Sequence, residues 1–281
     1  MNWFMAIFLG FVQGVTEFLP VSSSGHLALL QSIGLDGGIH DRHLFFDVLL
    51  HMGTLVAVCV VYRRDIVEMC RALLDMFKGK RGTEEDPVQP SKARLAIMLI
   101  IATLPLALAI PLVRRIDALG NHMWFVGFML LITGGLLYYA DRLNKGRRTE
   151  KNMTVKNALA VGFMQATIGL LPGISRSGST ITAGMMSGLD RGFAVRFSFL
   201  LSIPAIFGAN IVTLFTSTSD VDWSLMPRYL VGVLVAGVTG YFAIGLVKRI
   251  VDAGKFGKFA YYCWGVGILA IFVSIITAII G

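Results

Sequence analysis

The sequence predicts an all-α polytopic membrane protein built as an inverted-topology repeat, each half a re-entrant helix hairpin followed by three transmembrane helices. Three observations carry this: six apolar segments long enough to span, two apolar stretches broken in the middle by polar turns, and a self-similarity between the halves of the chain. Of 281 residues, 55% are hydrophobic and 15% charged, where an ordinary soluble domain is roughly 25% charged. The 25 Lys and Arg against 17 Asp and Glu give a net charge of +8. These bases lie between apolar runs, where they set membrane orientation rather than bind nucleic acid. Cys59, Cys70 and Cys263 have no paired spacing, so neither a disulfide framework nor a zinc site is indicated. The amino terminus lacks a basic leader and a small-residue cleavage site, and reads as mature chain from Met1.

A spanning helix needs about 20 mostly apolar residues. The segments that qualify are Leu44 to Tyr62, Leu95 to Val113, Met123 to Ala140, Phe197 to Thr216, Tyr229 to Val247 and Phe259 to Gly281. Two further apolar stretches, 3–34 and 157–189, are interrupted by Pro20 and by Pro172-Gly173, leaving halves of about 14 residues, too short to span. The breaks are polar: Val21-Ser-Ser-Ser-Gly-His26 and Ile174-Ser-Arg-Ser-Gly-Ser-Thr180. Non-helical polar backbone at membrane depth is tolerated only inside protein or along a wet cavity, so both stretches are read as hairpins that enter the membrane and return.

Aligned at an offset of 152, Gly10-Phe-Val-Gln13 resembles Gly162-Phe-Met-Gln165, Leu19-Pro20 falls on Leu171-Pro172, and Ser23 on Ser175. Shifted by one residue, Phe46 to Leu50 matches Phe197 to Leu201, and Pro111 to Ile116 resembles Gly245 to Ile250 further along. The chain is thus one membrane domain, 1–281, with repeat 1 over 1–141 and repeat 2 over 157–281. Three spans per half is an odd number, so the second half is inverted, which places function at the repeat interface near the midplane. Loop charges agree: the loops at 63–94, 142–156, 189–196 and 248–258 hold 20 Lys and Arg, and the opposite loops at 36–43, 114–122 and 217–228 hold 4. By the positive-inside rule the first set is cytoplasmic. Residues 78 to 94, rich in charge, Gly and Pro, read as a cytoplasmic linker.

The two polar tips are the candidate site. Gln13 and Glu17 share a helix face, next to Ser22-Ser23-Ser24-Gly25-His26. Carboxylate, hydroxyls and imidazole together suit a nucleophile with its base, or a divalent ion. An acid at the centre of a membrane helix costs about 2.5 to 3.5 kcal/mol on insertion scales, so Glu17 needs a partner or a task. The second tip, Gly173 to Thr180, has the makings of an anion cradle: glycines for close approach, hydroxyls and amides that donate, a helix start, and Arg176 with its planar fork. Its bland alternative is a structural ion pair between Arg176 and Glu17.

Other candidates read as structural. Asp47 and His51 share a face near the outer end of the first span, as a hydrated interfacial pair. His40, His43 and His122 fall in outer loops. Trp124, Tyr138, Tyr139, Tyr229, Tyr261 and Tyr262 read as interfacial anchors, and the glycines from 232 to 240 as close helix packing.

The motifs Gln13-Gly-Val-Thr-Glu17-Phe-Leu-Pro-Val-Ser-Ser23-Ser-Gly-His26 and Leu171-Pro-Gly-Ile-Ser175-Arg176-Ser-Gly-Ser-Thr180 resemble the two signatures of the bacterial undecaprenyl-diphosphatase family, the bacitracin-resistance type of membrane phosphatase. The resemblance runs over essentially the whole chain. It implies removal of the terminal phosphate from a 55-carbon isoprenoid diphosphate, which regenerates the monophosphate carrier for peptidoglycan. It also implies a divalent cation, Mg2+ or Ca2+, a homodimer, and a plasma-membrane site open to the extracytoplasmic side. The family's first motif begins with Glu or Gln, and this chain has Gln13. On this resemblance Arg176, Ser175, Ser177, Thr180, Gly173 and the turn amides hold phosphate, and Glu17 with Gln13 holds the metal. Ser23 is then the nucleophile and His26 the acid or base, with attack by His26 or by water left open. The competing class is an inverted-repeat transporter or flippase for an anionic lipid, which needs charge complementarity but no nucleophile.

Overall fold

The computed structural model describes residues 1–32, 44–78, 90–143, 146–216 and 222–280. Eleven α-helices are found among them: α1 (Trp3–Phe18), α2 (Ser23–Ser32), α3 (Leu44–Val61), α4 (Arg63–Phe77), α5 (Pro90–Asp117), α6 (Met123–Arg142), α7 (Val155–Ala166), α8 (Arg176–Met186), α9 (Arg191–Thr216), α10 (Met226–Asp252) and α11 (Lys258–Ile280). Five of these, α5, α6, α9, α10 and α11, are long and apolar enough to cross a membrane, and α3 with α4, bent by 75° at their junction, meets the same criterion only as a pair, which brings the candidate spans to six. The protein is therefore a multi-pass helical membrane protein.

Both broken stretches end their first helix as the chemistry of proline requires. At 16 residues α1 is about 24 Å long, short of the roughly 30 Å hydrocarbon core. Leu19 leaves the helical region at ψ 138° because Pro20 crowds the residue before it. Ser22 then takes a left-handed φ of 71° and α2 begins. In the second stretch α7 is capped by Thr154 and Asn157 in reciprocal hydrogen bonds. It gives way to a 3-10 turn at Ile168–Leu170 and reverses at Gly173, where φ is +92°. A side chain there would also strike the Val126 carbonyl and Met129 on α6, so this turn needs glycine. Ser175 caps α8 by accepting from Gly178 N at 3.1 Å, and Ser177 through Met185 are buried.

Packing is reciprocal between the halves. Helix α1 lies along α10 and α7 lies along α5, while α6 pairs with α11 and α3 with α9. Small residues make these approaches close: a Cβ at Gly10 would meet Gly232 of α10, and one at its repeat mate Gly162 would meet the Ala102 carbonyl of α5. Association of helices in lipid rests on such contact, because lipid tails are as apolar as leucine. The glycines of α10 thus pack as their spacing suggests.

Three expectations change. Residues 63 to 77 are not open loop but an amphipathic helix, α4, which buries Met69 and Ala72. Its Asp65 binds Lys92 at 2.8 Å and also pairs with Arg196, which locks the bend to α5 and α9. Tyr229 is no interfacial anchor: it is 1% exposed and stacks on Phe46 with ring centres 4.9 Å apart. The helices also overrun the apolar segments, as where α9 starts at Arg191 rather than Phe197, because hydropathy marks the lipid-facing length and not the helix end. His40, His43 and most of the 78–94 linker lie outside the described residues.

The close α5–α7 approach makes a prediction. Gly162→Val should cost about 1–3 kcal/mol through overpacking and lower the melting midpoint in detergent by several degrees. Gly135→Val, where no heavy atom lies within 4 Å of the new Cβ, should leave it nearly unchanged. Equal shifts would mean that α5 and α7 are not packed at this point.

Candidate active site

Glu17, in the last turn of α1, is where the two hairpin tips join. Its Oε1 accepts from Arg176 Nη2 at 2.5 Å, and its Oε2 accepts from Ser23 Oγ at 2.6 Å and Gln13 Nε2 at 3.1 Å. His51 Nε2 lies 3.7 Å from the same Oε2. Glu17 is 7% exposed, so its charge has to be met locally. The local structure dictates the partners. Gln13 is one turn earlier on the same helix face, Ser23 is the first residue of α2, and Arg176 is the first residue of α8. Two helix amino-terminal ends therefore converge here, and their positive dipole ends favour an anion beside Arg176.

The tips are held from behind. Thr133 on α6 is 1% exposed; its Oγ1 donates to the Gly173 carbonyl and accepts from Ser175 N, both at 3.1 Å. In the first tip, Ser22 Oγ accepts from Gly25 N at 3.1 Å, which steadies the left-handed residue before Ser23. Strained backbone of this kind persists only where its surroundings over-determine it.

A cavity of about 410 Å³ opens from this cluster. Glu17, Ser22, Ser23, Ser24, Asp47 and His51 line one side of it, and Gln165, Ser175, Arg176 and Ser177 the other. The remaining wall is largely aliphatic: Leu106, Ala107 and Ile110 from α5, and Ala205, Ile206 and Val212 from α9.

The residues singled out from sequence divide accordingly. Glu17, Ser23 and Arg176 are brought together, with Gln13 bonded to Glu17 and with Ser175 and Ser177 on the cavity wall. The Glu17–Arg176 ion pair, given above as the bland alternative, is present. Gly173, Thr180 and His26 are not among the described residues that line the cavity. Gly173 makes the turn, and Thr180 Oγ1 pairs with Ser198 Oγ at 2.6 Å, tying α8 to α9. His26 engages the Ser22 carbonyl through Nδ1 at 2.7 Å and Tyr262 Oη through Nε2 at 2.8 Å, with the two rings stacked. In this arrangement His26 joins α2 to α11 and does not hydrogen-bond Ser23, and the exposed Tyr262 is its partner. Conversely, His51 belongs to the cluster. Its i, i+4 spacing with Asp47 was the available signal, and reading the pair as interfacial missed that the cavity reaches the amino-terminal half of α3.

Among the described residues no three His, Cys, Asp or Glu side chains group to hold a metal. Glu17 is the one carboxylate at the cavity floor among the described residues; Gln13 turns its Nε2 rather than its Oε1 to it, and Gln13 is not among the residues that line the cavity. A single carboxylate fits only a cation that keeps most of its water and shares its remaining ligands with phosphate.

Fold and site together define a multi-pass membrane protein with an intramembrane pocket that is charged at its floor and aliphatic along its wall. The chain belongs to the family described as bacitracin resistance protein BacA, whose model matches residues 6–269. Among its relatives, the undecaprenyl-diphosphatase of Halothermothrix orenii is 40% identical over 279 residues, covering 98% of this chain and 99% of that protein. Those of Desulfosudis oleivorans and Methanosphaera stadtmanae are 41% and 38% identical, over 93% and 96% of this chain and 94% and 98% of theirs.

The ion pair supports a stability prediction. Arg176→Met should destabilise by about 3 kcal/mol, because it strands the buried carboxylate. Adding Glu17→Gln should recover most of that loss in melting midpoint. A double variant no more stable than the single one would show that the two side chains do not depend on each other.

Proposed function

We propose that this protein is an undecaprenyl-diphosphate phosphatase, which hydrolyses undecaprenyl diphosphate to undecaprenyl phosphate and inorganic phosphate. It thereby recycles the lipid carrier for peptidoglycan synthesis and confers bacitracin resistance. Family membership and the printed names of the relatives support the reaction. The observation that carries the reading is Glu17, whose carboxylate holds Ser23 Oγ with one oxygen and Arg176 with the other: an oriented hydroxyl and a guanidinium fork share one anchor.

The chemistry follows from these positions. The cavity's aliphatic wall takes the start of the isoprenoid, whose buried methylene-sized units, at about 0.8 kcal/mol each, keep the tail in the bilayer. Arg176, the Ser175 and Ser177 hydroxyls and the α8 amino-terminal end take the diphosphate. Ser23 Oγ attacks the terminal phosphorus, its proton passes to Glu17 Oε2, and the bond from that phosphorus to the bridging oxygen breaks to leave the lipid monophosphate. Water then hydrolyses the seryl phosphate, releasing inorganic phosphate and restoring the hydroxyl. Phosphoryl transfer depends mostly on positioning and charge stabilisation, and both are built into the pair of tips. A divalent cation, Mg2+ or Ca2+, would be held by Glu17 and, with the Gln13 amide turned over, by its Oε1, and would offset charge that a single arginine cannot.

Orientation belongs to the same proposal. The reciprocal pairing of α1 with α10 and α7 with α5 supports two halves of inverted topology. The cavity draws on residues 47–51, 103–110 and 204–213, the halves of α3, α5 and α9 remote from the basic loops. That supports a site opening to the extracytoplasmic face of the plasma membrane.

Purified protein in detergent should release phosphate from undecaprenyl diphosphate when Mg2+ or Ca2+ is supplied, and stop when a chelator is added. Binding without phosphate release would point to a transporter instead. Ser23→Ala should lower turnover by roughly 10⁴-fold or more, as loss of a nucleophile does, and His26→Ala should cost less. Equal losses would return His26 to the reaction. Arg176→Lys should be nearly as damaging as Arg176→Ala, since an ammonium offers no bidentate fork; a lysine variant within a few fold of wild type would remove Arg176 from phosphate binding.

A further inference from the structure

Gln165 lies in the last turn of α7, is 1% exposed and lines the cavity. Neither its Nε2 nor its Oε1 has a hydrogen-bond partner. A buried amide with both ends unmet is expensive, and the great majority of buried polar side-chain atoms are satisfied, so this one calls for a partner that the chain itself does not provide.

The repeat identifies that partner's charge. At the offset of 152, Gln165 corresponds to Gln13 and Gly169 corresponds to Glu17. In the first half Gln13 Nε2 donates to the Glu17 carboxylate one turn on. In the second half the residue one turn on is Gly169, which has no side chain and itself lines the cavity. The same amide, on a residue that lines the cavity, therefore has no anion of its own where its counterpart has Glu17. The cavity wall around it includes Arg176, Ser175 and Ser177, all donors.

We infer that Gln165 binds a phosphate oxyanion, which takes in the second half the place that the Glu17 carboxylate holds in the first. Its Nε2 donates to a non-bridging oxygen, and its Oε1 accepts from a phosphate hydroxyl or from water bound with it. The inference rests on the phosphatase reading for the identity of the substrate, but phosphate binding can be measured without turnover. The oxyanion is the terminal phosphate of the lipid or the released orthophosphate, which share this chemistry.

The test is Gln165→Met in the full-length protein, which keeps the length of the side chain and removes both polar ends. The melting midpoint without ligand should stay level or rise, because no internal hydrogen bond is lost. The upward shift of midpoint produced by millimolar inorganic pyrophosphate should shrink, and kcat/KM on undecaprenyl diphosphate should fall about 10–100-fold. Weaker competitive inhibition by orthophosphate would place the released ion at Gln165; unchanged inhibition alongside the lower kcat/KM would place the lipid-bound phosphate there. Gln165→Glu, nearly isosteric but anionic, should suppress the pyrophosphate shift further. A Gln165→Met midpoint that drops by several degrees with the pyrophosphate shift intact would overturn the inference, because the amide would then be structural. Turnover within twofold of wild type would overturn it too. If wild type released no phosphate at all, the phosphatase reading would fail, and the pyrophosphate shifts would still decide whether Gln165 binds phosphate.

Discussion

A carboxylate placed at membrane depth has to be neutralised where it stands, and much of this protein is arranged around that requirement. Glu17 has almost no access to solvent, and its two oxygens are met by a guanidinium, a hydroxyl and an amide. No single helix could supply all three, since Gln13 is on the same helix, Ser23 is across a proline break and Arg176 comes from the other half of the chain. The broken helices, the left-handed Ser22, the Gly173 turn and the Thr133 tie are the means by which two chain segments about 150 residues apart bring their polar atoms to one carboxylate. The glycine contacts of α1 on α10 and α7 on α5 keep the supporting helices close enough for this to hold.

The same arrangement suits the chemistry proposed for it. An ion pair at the floor of a cavity is closed to bulk water but can be opened by a ligand that carries both signs of charge. A diphosphate competes with Glu17 for Arg176, and a cation competes with Arg176 for Glu17. The unmet amide of Gln165, on the cavity wall, lowers stability and would be available to a ligand, a common relation between stability and function at active sites. The aliphatic wall from α5 and α9 lets an apolar tail follow its polar head to the pocket without leaving the membrane.

Much of this was legible in the sequence, because membranes impose strict rules. Six spans follow from hydropathy and length, both hairpins from proline in runs too short to cross, and the meeting of the tips from the 152-residue offset that aligns Leu19-Pro20 with Leu171-Pro172. What sequence did not disclose is direction. His26 and His51 both lie near the first tip, and only side-chain geometry turns His26 toward Tyr262 and His51 toward Glu17. Thr180 and Gly173 fall inside the motif yet serve packing and the turn. Helix α4 escaped notice because its apolar stripe is narrow and its charges read as loop. Gln165 was visible as a repeat mate of Gln13, but its lack of partners is a property of packing that no motif records.

The central claim is that the two tips touch inside the protein, and a disulfide between them tests it most directly. A Cβ at position 178 would lie 3.2 Å from the Cβ of Pro20, close to the spacing a disulfide needs. In a protein whose Cys59, Cys70 and Cys263 are replaced by serine, Pro20→Cys with Gly178→Cys should form an intramolecular bond on mild oxidation. It would be seen as a mobility shift on a non-reducing gel that reductant reverses. Thiols that stay free under the same oxidation, in protein that remains folded, would contradict the account.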